Sequence, residues 1–366
     1  MPDQLPIAVP AAPPQKRRRR WFQYSLRSLL VFTAVCAVGA AWLARRIEKK
    51  RAERDAVDAI VKLGGQVSCD WTGQPSPPGP GWLRSLLGDN FFSEVEGVGF
   101  EPGTTKIGDV DLLKLRPFTR LQALELNRAN VGDTGIAAVE QMSDLKMLYL
   151  AESHVTDIGL RSLQTLRHLQ RLDLQGARIT DEGVVNLEAM SELWELNLQS
   201  TRISDEALTH IKGLKQIKVL NLDFTKVSDS GIANLEGWDQ LDTLDLYGTR
   251  ITDAALEYIA LSHQLRHLDL GGTAITDVSL RQLLRFPNLT ALGLERTKIS
   301  DAGVEFLGRL SRLELLNLRK TNVGDAGLQN LKGLTQLRTL GLEDTHVSDE
   351  CLAELQNALP KCRIDR

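Results

Sequence analysis

Apolar and polar positions alternate along most of this chain in a pattern that returns every 24 residues. In the stretch "LDLYGTRITDAALEYI" (residues 244–259), alternate leucines precede a polar turn, and an aspartate then precedes apolar residues at helical spacing. The same order recurs in "LNLQSTRISDEALTHI" (196–211) and "LGLERTKISDAGVEFL" (292–307). Alternation with a period of two is typical of a strand, and spacings of three and four are typical of a helix. Each unit therefore predicts a short strand, a loop and a short helix.

The repeat covers residues 95–360 as about 11 units. A degenerate first unit places Val95, Val98 and Phe100 at the strand positions. A single unit cannot bury its own leucines, whereas stacked units build one continuous core. We therefore predict an α/β solenoid, in which strands form a parallel sheet on one face and helices line the other. The regular units begin at Leu121, Leu145, Leu169, Leu193, Ile217, Leu241, Leu265, Leu289, Leu313 and Leu337.

One aspartate recurs at the same position of every unit, and in most units a serine or threonine precedes it. A carboxylate at a helix start accepts backbone N–H groups and interacts favourably with the helix dipole, so we predict structural helix caps. Carboxylates spaced by a whole coil do not converge on one ion, which argues against a metal site. A small residue two positions later is expected to let each helix approach the neighbouring coil. The predicted caps include Asp181, Asp205, Asp229, Asp253, Asp277 and Asp301.

The units resemble those of the leucine-rich-repeat family, and the "TxITDxGLxxL" continuation is closest to the cysteine-containing and GALA types. The resemblance implies a solenoid with a curved parallel β-sheet and helices on its convex side. The chain departs from the commonest repeat by placing threonine, as at Thr201 and Thr225, where an asparagine ladder is usual. We expect these hydroxyls to bridge successive loop carbonyls. An N-terminal anchor joined to such repeats also resembles the architecture of membrane-tethered bacterial repeat proteins.

Residues 1–46 carry the features of a membrane anchor. Residues 1–20 are rich in proline and end in the basic run "KRRRR", which predicts disorder, and residues 21–46 predict one transmembrane signal anchor. A signal peptide cleaved near residues 38–40 is an alternative, while the flanking arginines disfavour a buried core helix. Basic charge is nearly balanced on the two sides of the apolar segment. The dense arginine block favours a cytoplasmic N-terminus and repeats outside the cytoplasm.

The segments on either side of the repeats predict two caps. Residues 47–94 contain an amphipathic helix, "RAERDAVDAIVKLGG", then the strand-like "QVSCDW" and a Pro/Gly-rich loop. We assign them to a linker helix and an N-terminal cap. Residues 361–366 are predicted to add a C-terminal cap strand. Such caps cover the apolar ends of a stacked repeat array.

Charge and motif content narrow the possible functions. Residues 1–54 carry 12 Lys/Arg and 3 Asp/Glu, which leaves 32 basic and 44 acidic residues and a charge of −12 for the rest. Such an acidic body argues against nucleic-acid binding. No phosphate loop, GxSxG or HExxH motif appears, the four cysteines are scattered, and His263 and His267 fall across a loop-to-strand junction. We therefore predict no metal site, no cofactor and no enzymatic activity.

The remaining candidate for function is the concave sheet face, because non-leucine positions of the strand segment project there. Acidic and amide side chains follow one another across consecutive units, with aromatic side chains beside them. Exposed aromatic residues in a polar field are typical of recognition surfaces. The predicted partner-binding residues are Tyr149, Asp173, Trp194, Asn197, Asn221, Phe224, Asp245, Tyr247, His267 and Asp269.

Three functional hypotheses remain open from the sequence. The favoured one is a membrane-anchored repeat protein that binds a protein or peptide through its concave face. The second is a structural or spacer protein of the envelope without a specific ligand. The third is a substrate-recognition or inhibitor subunit that faces the cytoplasm, although residues 1–94 contain no F-box-like segment.

Overall fold

The computed structural model describes residues 26–70, 78–88, 91–101, 107–259 and 262–366. The chain divides into two compact units, Met1–Arg51 and Ala52–Arg366. The segment predicted to be disordered and the first residues of the predicted anchor lie outside the described residues, as does most of the Pro/Gly-rich loop.

Helix α1 (Leu26–Lys62) runs without interruption through the predicted anchor and the predicted linker helix. The predicted boundary between residues 46 and 47 falls inside this helix, because the connecting "RRIEKKRAER" (45–54) contains no glycine or proline to break it. The helix stops before Gly64, whose φ of +85° is the left-handed conformation typical of a helix C-terminus. By length and composition α1 could cross a membrane, a test that a signal sequence also passes.

All strands of the described residues join one sheet of 13 strands, arranged in chain order. The first two strands are antiparallel, and every later neighbour is parallel. The strands are β1 (Gly65–Cys69), β2 (Val95–Phe100), β3 (Ala123–Glu125), β4 (Met147–Tyr149), β5 (Arg171–Asp173), β6 (Glu195–Asn197), β7 (Val219–Asn221), β8 (Thr243–Asp245), β9 (His267–Asp269), β10 (Ala291–Gly293), β11 (Leu315–Asn317), β12 (Thr339–Gly341) and β13 (Arg363–Asp365).

Short helices connect the strands, and those that follow the parallel strands line the convex side of the sheet. They are α2 (Gly81–Leu87), α3 (Asp109–Leu112), α4 (Asp133–Ile136), α5 (Asp157–Leu163), α6 (Asp181–Val184), α7 (Asp205–Ile211), α8 (Asp229–Ile232), α9 (Ala255–Ile259), α10 (Asp301–Leu307), α11 (Asp325–Gln329) and α12 (Asp349–Ala358). Segments of 3₁₀ helix cover Leu113–Leu115, Val185–Leu187, Ala233–Leu235, Leu280–Arg285 and Asn330–Gly333. The predicted α/β solenoid is confirmed.

The core is a stack of leucines between the sheet and the helices. Leu148, Leu172 and Leu196 pair in register on consecutive strands, and each is at most 1% exposed. Complete burial of such a side chain contributes about 1.5–3 kcal/mol to folding. Ala56 and Ile60, near the end of α1, belong to the same core. Burial of this kind repeats in every coil because the apolar positions repeat.

The recurring aspartates bond the next coil rather than cap their own helices. Asp181 Oδ1 accepts from the backbone N of Ser204 at 2.7 Å and of Ala207 at 3.2 Å, and its Oδ2 accepts from Ser204 Oγ at 2.7 Å. In six units, including Ser204 before α7, the serine or threonine before the aspartate is the N-cap residue. The predicted cap residues Asp181, Asp205, Asp229, Asp253, Asp277 and Asp301 thus all accept bonds from the start of the helical segment in the following coil.

We call this series the aspartate ladder. Its physical basis is that each helical segment is short and the next coil lies alongside, with backbone N–H groups that need an acceptor. The bonds therefore connect residues 23 positions apart in sequence, such as Ser204 N and Asp181 Oδ1. The aspartate ladder joins successive coils at the start of the helical segments, away from the strands of the sheet.

The recurring threonines also act differently from the expectation. Thr201 Oγ1 donates to the carbonyl oxygen of Leu198 at 2.6 Å, and Thr225 Oγ1 donates to that of Leu222 at the same distance. Each bond stays within one coil and satisfies a buried hydroxyl. The hydroxyls thus hold the turn after each strand and do not bridge successive coils.

Candidate binding surface on the concave face

Parallel pairing places one side chain of each strand in a single row on the concave face. Residues in this row are direct neighbours across adjacent strands; Asp245 on β8, for example, pairs with Asp269 on β9. Burial raises the pKa of the Asp173 carboxyl in this row. Across β4–β9 the row consists of Tyr149, Asp173, Asn197, Asn221, Asp245 and Asp269.

The carboxylates of Asp223, Asp245 and Asp269 lie near one another around β7–β9. Asp245 Oδ1 lies 3.4 Å from His267 Nε2, and Asn221 Nδ2 donates to Asp245 Oδ2 at 3.3 Å. Burial raises the pKa of Asp245 and of Asp269. Burial, with repulsion from those two carboxylates, raises the pKa of Asp223 to about 6. These carboxylates are held together against their mutual repulsion.

An aromatic pair lies beside the carboxylates. The Phe224 and Tyr247 rings are 5.2 Å apart between centroids at an interplanar angle of 54°. Phe224 has φ of +54° and is 55% exposed, an unusual conformation and exposure for a bulky side chain. A Cβ atom on Gly248 would lie 3.0 Å from the Phe224 ring, and one on Gly271 would lie 2.6 Å from the Tyr247 ring. Glycine in the following coils therefore makes room for both rings.

A second group surrounds Arg171 on β5. Its guanidinium carbon lies 4.3 Å from the ring centroid of Trp194, within the range of a cation–π interaction. Arg171 Nε lies 3.2 Å from Glu195 Oε2, and Arg171 Nη1 donates to Tyr149 Oη at 3.5 Å. The charge of Arg171 is therefore matched by a neighbouring acid.

The predicted residues thus fall into two groups, with Asp173 and Asn197 in the row between them. We define the acidic–aromatic patch as Asp223, Phe224, Asp245, Tyr247, His267 and Asp269. Sequence reasoning missed Arg171 and the glycines under the rings, and did not select Asp223. Comparison of neighbouring units could have found Arg171, which precedes Glu195 by exactly one repeat. Within the described ranges no group of three or more His, Cys, Asp or Glu side chains could hold a metal ion.

Neutralising Asp223 is expected to stabilise the fold above pH 6. Its folded pKa of about 6 exceeds the ordinary value of 3.8, so raising the pH through this interval ionises a group that the folded state disfavours. Asp223→Asn keeps an acceptor for the Tyr247 N–H, which donates to Asp223 Oδ1 at 2.6 Å. We expect about 1–2 kcal/mol of added unfolding free energy at pH 8 and no gain near pH 4, measured by urea denaturation. An equal gain from Asp144→Asn, at an exposed site, would contradict this origin.

Several solved structures are similar to this chain. An internalin (inlF) of Listeria monocytogenes is 25% identical, with a TM-score of 0.47 over 69% of this chain and 82% of that one. A leucine-rich repeat protein of Leptospira interrogans is 20% identical, with a TM-score of 0.51 over 69% and 74%. The plant peptide hormone receptor RGFR1, solved in complex with RGF2, is 15% identical, with a TM-score of 0.43 over 67% and 51%.

Sequence comparison supplies the family. A search of curated proteins finds no match. A family model described as "Leucine-rich repeat region" matches residues 103–326, more than half of the chain. The match includes strands β3–β11, whose leucines pair in register from coil to coil. The chain therefore belongs to the leucine-rich repeat family.

Proposed function

We propose that this chain is a membrane-anchored leucine-rich repeat protein that binds a protein or peptide ligand through its concave face. Proteins of this family are typically binding scaffolds, and the sequence contains no phosphate-loop, GxSxG or HExxH motif. The ligand would contact the row across β4–β9 and the two groups at its ends. The repeats would lie outside the cytoplasm, tethered by the N-terminal helix.

The composition and exposure of α1 support the tether. Leu30, Phe32 and Val38 are 61%, 66% and 71% exposed within the chain. A run of large apolar side chains without protein cover is favourable in lipid and unfavourable in water. The arginine run before the helix favours the orientation with a cytoplasmic N-terminus.

The observation that carries the binding proposal is the arrangement of the acidic–aromatic patch. Three neighbouring carboxylates whose pKa values are raised by burial, and a large apolar Phe224 side chain that is 55% exposed, are unfavourable in the free chain. A solvated surface needs neither feature, because fully exposed polar side chains would keep the solenoid soluble. A bound ligand would compensate their cost by contacts with the rings and the charges.

Charge reversal on the concave face is expected to release the ligand. The full-length chain, in mild detergent, would capture partners from the membrane and envelope fractions of the source cell. The variant Asp173→Arg, Asp245→Arg, Asp269→Arg should retain at least about tenfold less of a specific partner, because each change opposes the charge of the face. Quantitative mass spectrometry of the retained proteins measures the loss, and circular dichroism checks the fold.

The matched control reverses three exposed acids on the convex side: Glu182→Arg, Glu206→Arg and Glu305→Arg. This variant carries the same net charge as the first and should retain the partner. If both variants lose it equally, or if neither does, concave-face recognition fails and a structural role without a ligand is favoured. Protease access to a C-terminal tag in intact cells tests the orientation separately, and protection of the tag would place the repeats in the cytoplasm.

A further inference from the structure

We infer that the ligand presents a basic segment to the concave face, and that its lysine or arginine side chains lie on the acidic–aromatic patch. This inference rests on the proposed function and adds the chemical class of the ligand. It follows from the charge balance of the patch, from its rings and from the spacing of its carboxylates.

The patch gathers three carboxylates without a lysine or arginine partner among the described residues. Other acids on the same side pair with arginines of a neighbouring coil, as in Arg171–Glu195 at 3.2 Å and Arg319–Glu343 at 2.8 Å. Within the part of the chain that the structure describes, no lysine or arginine forms an ion pair with any of the three carboxylates of the patch. Among the described residues His267 lies beside them: its Nε2 is 3.4 Å from Asp245 Oδ1, and its charge also acts on Asp269. The missing positive charge is what a basic ligand would supply.

Two of the carboxylates are already oriented by the backbone. The N–H of Tyr247 donates to Asp223 Oδ1 at 2.6 Å, and the N–H of Gly271 donates to Asp269 Oδ1 at 2.9 Å. An ionised carboxylate has acceptor capacity on both oxygens, so each keeps room for a further donor. Lysine and arginine carry only donors and suit such acceptors.

The aromatic pair adds a surface that cations also favour. The face of an aromatic ring attracts an ammonium or guanidinium group, and Arg171 on Trp194 illustrates this contact on the same side of the molecule. Phe224 is more than half exposed at a left-handed position that other coils fill with glycine, as at Gly248, or with polar side chains, as at Ser200 and Arg296. Among the described residues with positive φ, Phe224 is the one with a large apolar side chain. Such a ring beside carboxylates is suited to the alkyl stem and charged head of a basic side chain.

The spacing of the patch fits an extended ligand that crosses the strands. Asp245 and Asp269 occupy paired positions on β8 and β9, and neighbouring strands lie about 4.8 Å apart. An extended peptide advances about 3.3 Å per residue. Basic side chains at every second residue would be about 6.6 Å apart at the backbone, and the flexible stems of lysine and arginine can close the difference of about 2 Å to neighbouring carboxylates.

The test is a selection from a phage-displayed library of random linear peptides on the full-length chain in detergent micelles. Selected peptides should be enriched in lysine and arginine, and replacement of their arginines by citrulline should weaken binding at least about tenfold. The variant Asp223→Asn, Asp245→Asn, Asp269→Asn should lose a similar factor, measured by fluorescence anisotropy. The convex variant Glu182→Gln, Glu206→Gln, Glu305→Gln should bind as the unmodified chain does.

Phe224→Gly keeps the experiment informative if the charge variant folds poorly. Glycine suits a φ of +54°, so the urea midpoint of the variant should stay close to that of the unmodified chain. Peptide affinity should nevertheless fall about threefold or more. Absence of basic enrichment, equal binding of the citrulline peptide, or unchanged affinity in both patch variants would overturn the inference. If the charge-reversed chain still lost its natural partner in that case, the proposed function would stand with a ligand of different chemistry.

Discussion

Asp181→Ala is expected to lower the free energy of unfolding by roughly 2–3 kcal/mol. The change removes an acceptor for three bonds from the following coil: the backbone N and Oγ of Ser204 and the backbone N of Ala207. Those donors would then depend on water at a half-buried site between two coils. Urea denaturation followed by circular dichroism measures the loss.

Two controls distinguish the aspartate ladder from a general effect of charge. Asp181→Asn retains one acceptor oxygen for the backbone N–H groups, so its cost should be about half as large. Asp144→Ala, at an exposed site, should change stability by less than about 0.5 kcal/mol. A loss in Asp181→Ala no larger than that of Asp144→Ala would show that the carboxylate contributes nothing to coil stacking.

Gly183→Val is expected to destabilise the chain by about 2–3 kcal/mol. A Cβ atom on Gly183 would lie 2.9 Å from Asp157 Cγ and 3.1 Å from Asp157 Cα, too close without a shift of the backbone. Asp157 cannot simply turn away, because its carboxylate accepts from Thr180 N at 2.8 Å and from Thr180 Oγ1 at 2.7 Å. The substitution therefore separates two coils or breaks a step of the aspartate ladder.

The matched control is Gly213→Val, since a Cβ atom there has no neighbour within 4 Å. Its stability should remain within about 0.5 kcal/mol of the unmodified chain. Thermal unfolding of the two variants side by side makes the comparison. Equal midpoints would mean that the close approach at Gly183 is unimportant, in spite of its geometry.

Natural variation among the coils sets the scale of this effect. Ala207 occupies the position equivalent to Gly183, and its backbone N lies 3.2 Å from Asp181 Oδ1. Gly159 at the same position is closer, with its N 2.9 Å from Asp133 Oδ1. A methyl group is thus accommodated by a small separation of the coils. The additional methyls of valine are expected to exceed what the spacing allows.

The features of the candidate binding surface differ in how far they could be predicted, because some depend on one coil and others on contacts between coils. The row containing Asp245 and Asp269 was predictable, because strand alternation and a constant repeat length place equivalent residues side by side. The raised pKa of Asp223 was not, because it depends on burial and on carboxylates contributed by the next two coils. The contact between Arg171 and Trp194 likewise depends on side-chain directions in two different units.

The sequence by itself determined the repeat length, the leucine core and the parallel order of the strands. Each of these follows from a local period of apolar residues that must be buried, and repetition fixes the register once the first coils stack. Only the tertiary structure decided what each polar group bonds. Asp181 reaches a coil 23 residues away rather than its own helix, and the Tyr247 ring lies over Gly271 of the next coil. Hydrogen bonds and ring contacts depend on distances of a few ångströms between coils, and the order of residues along one coil does not specify them.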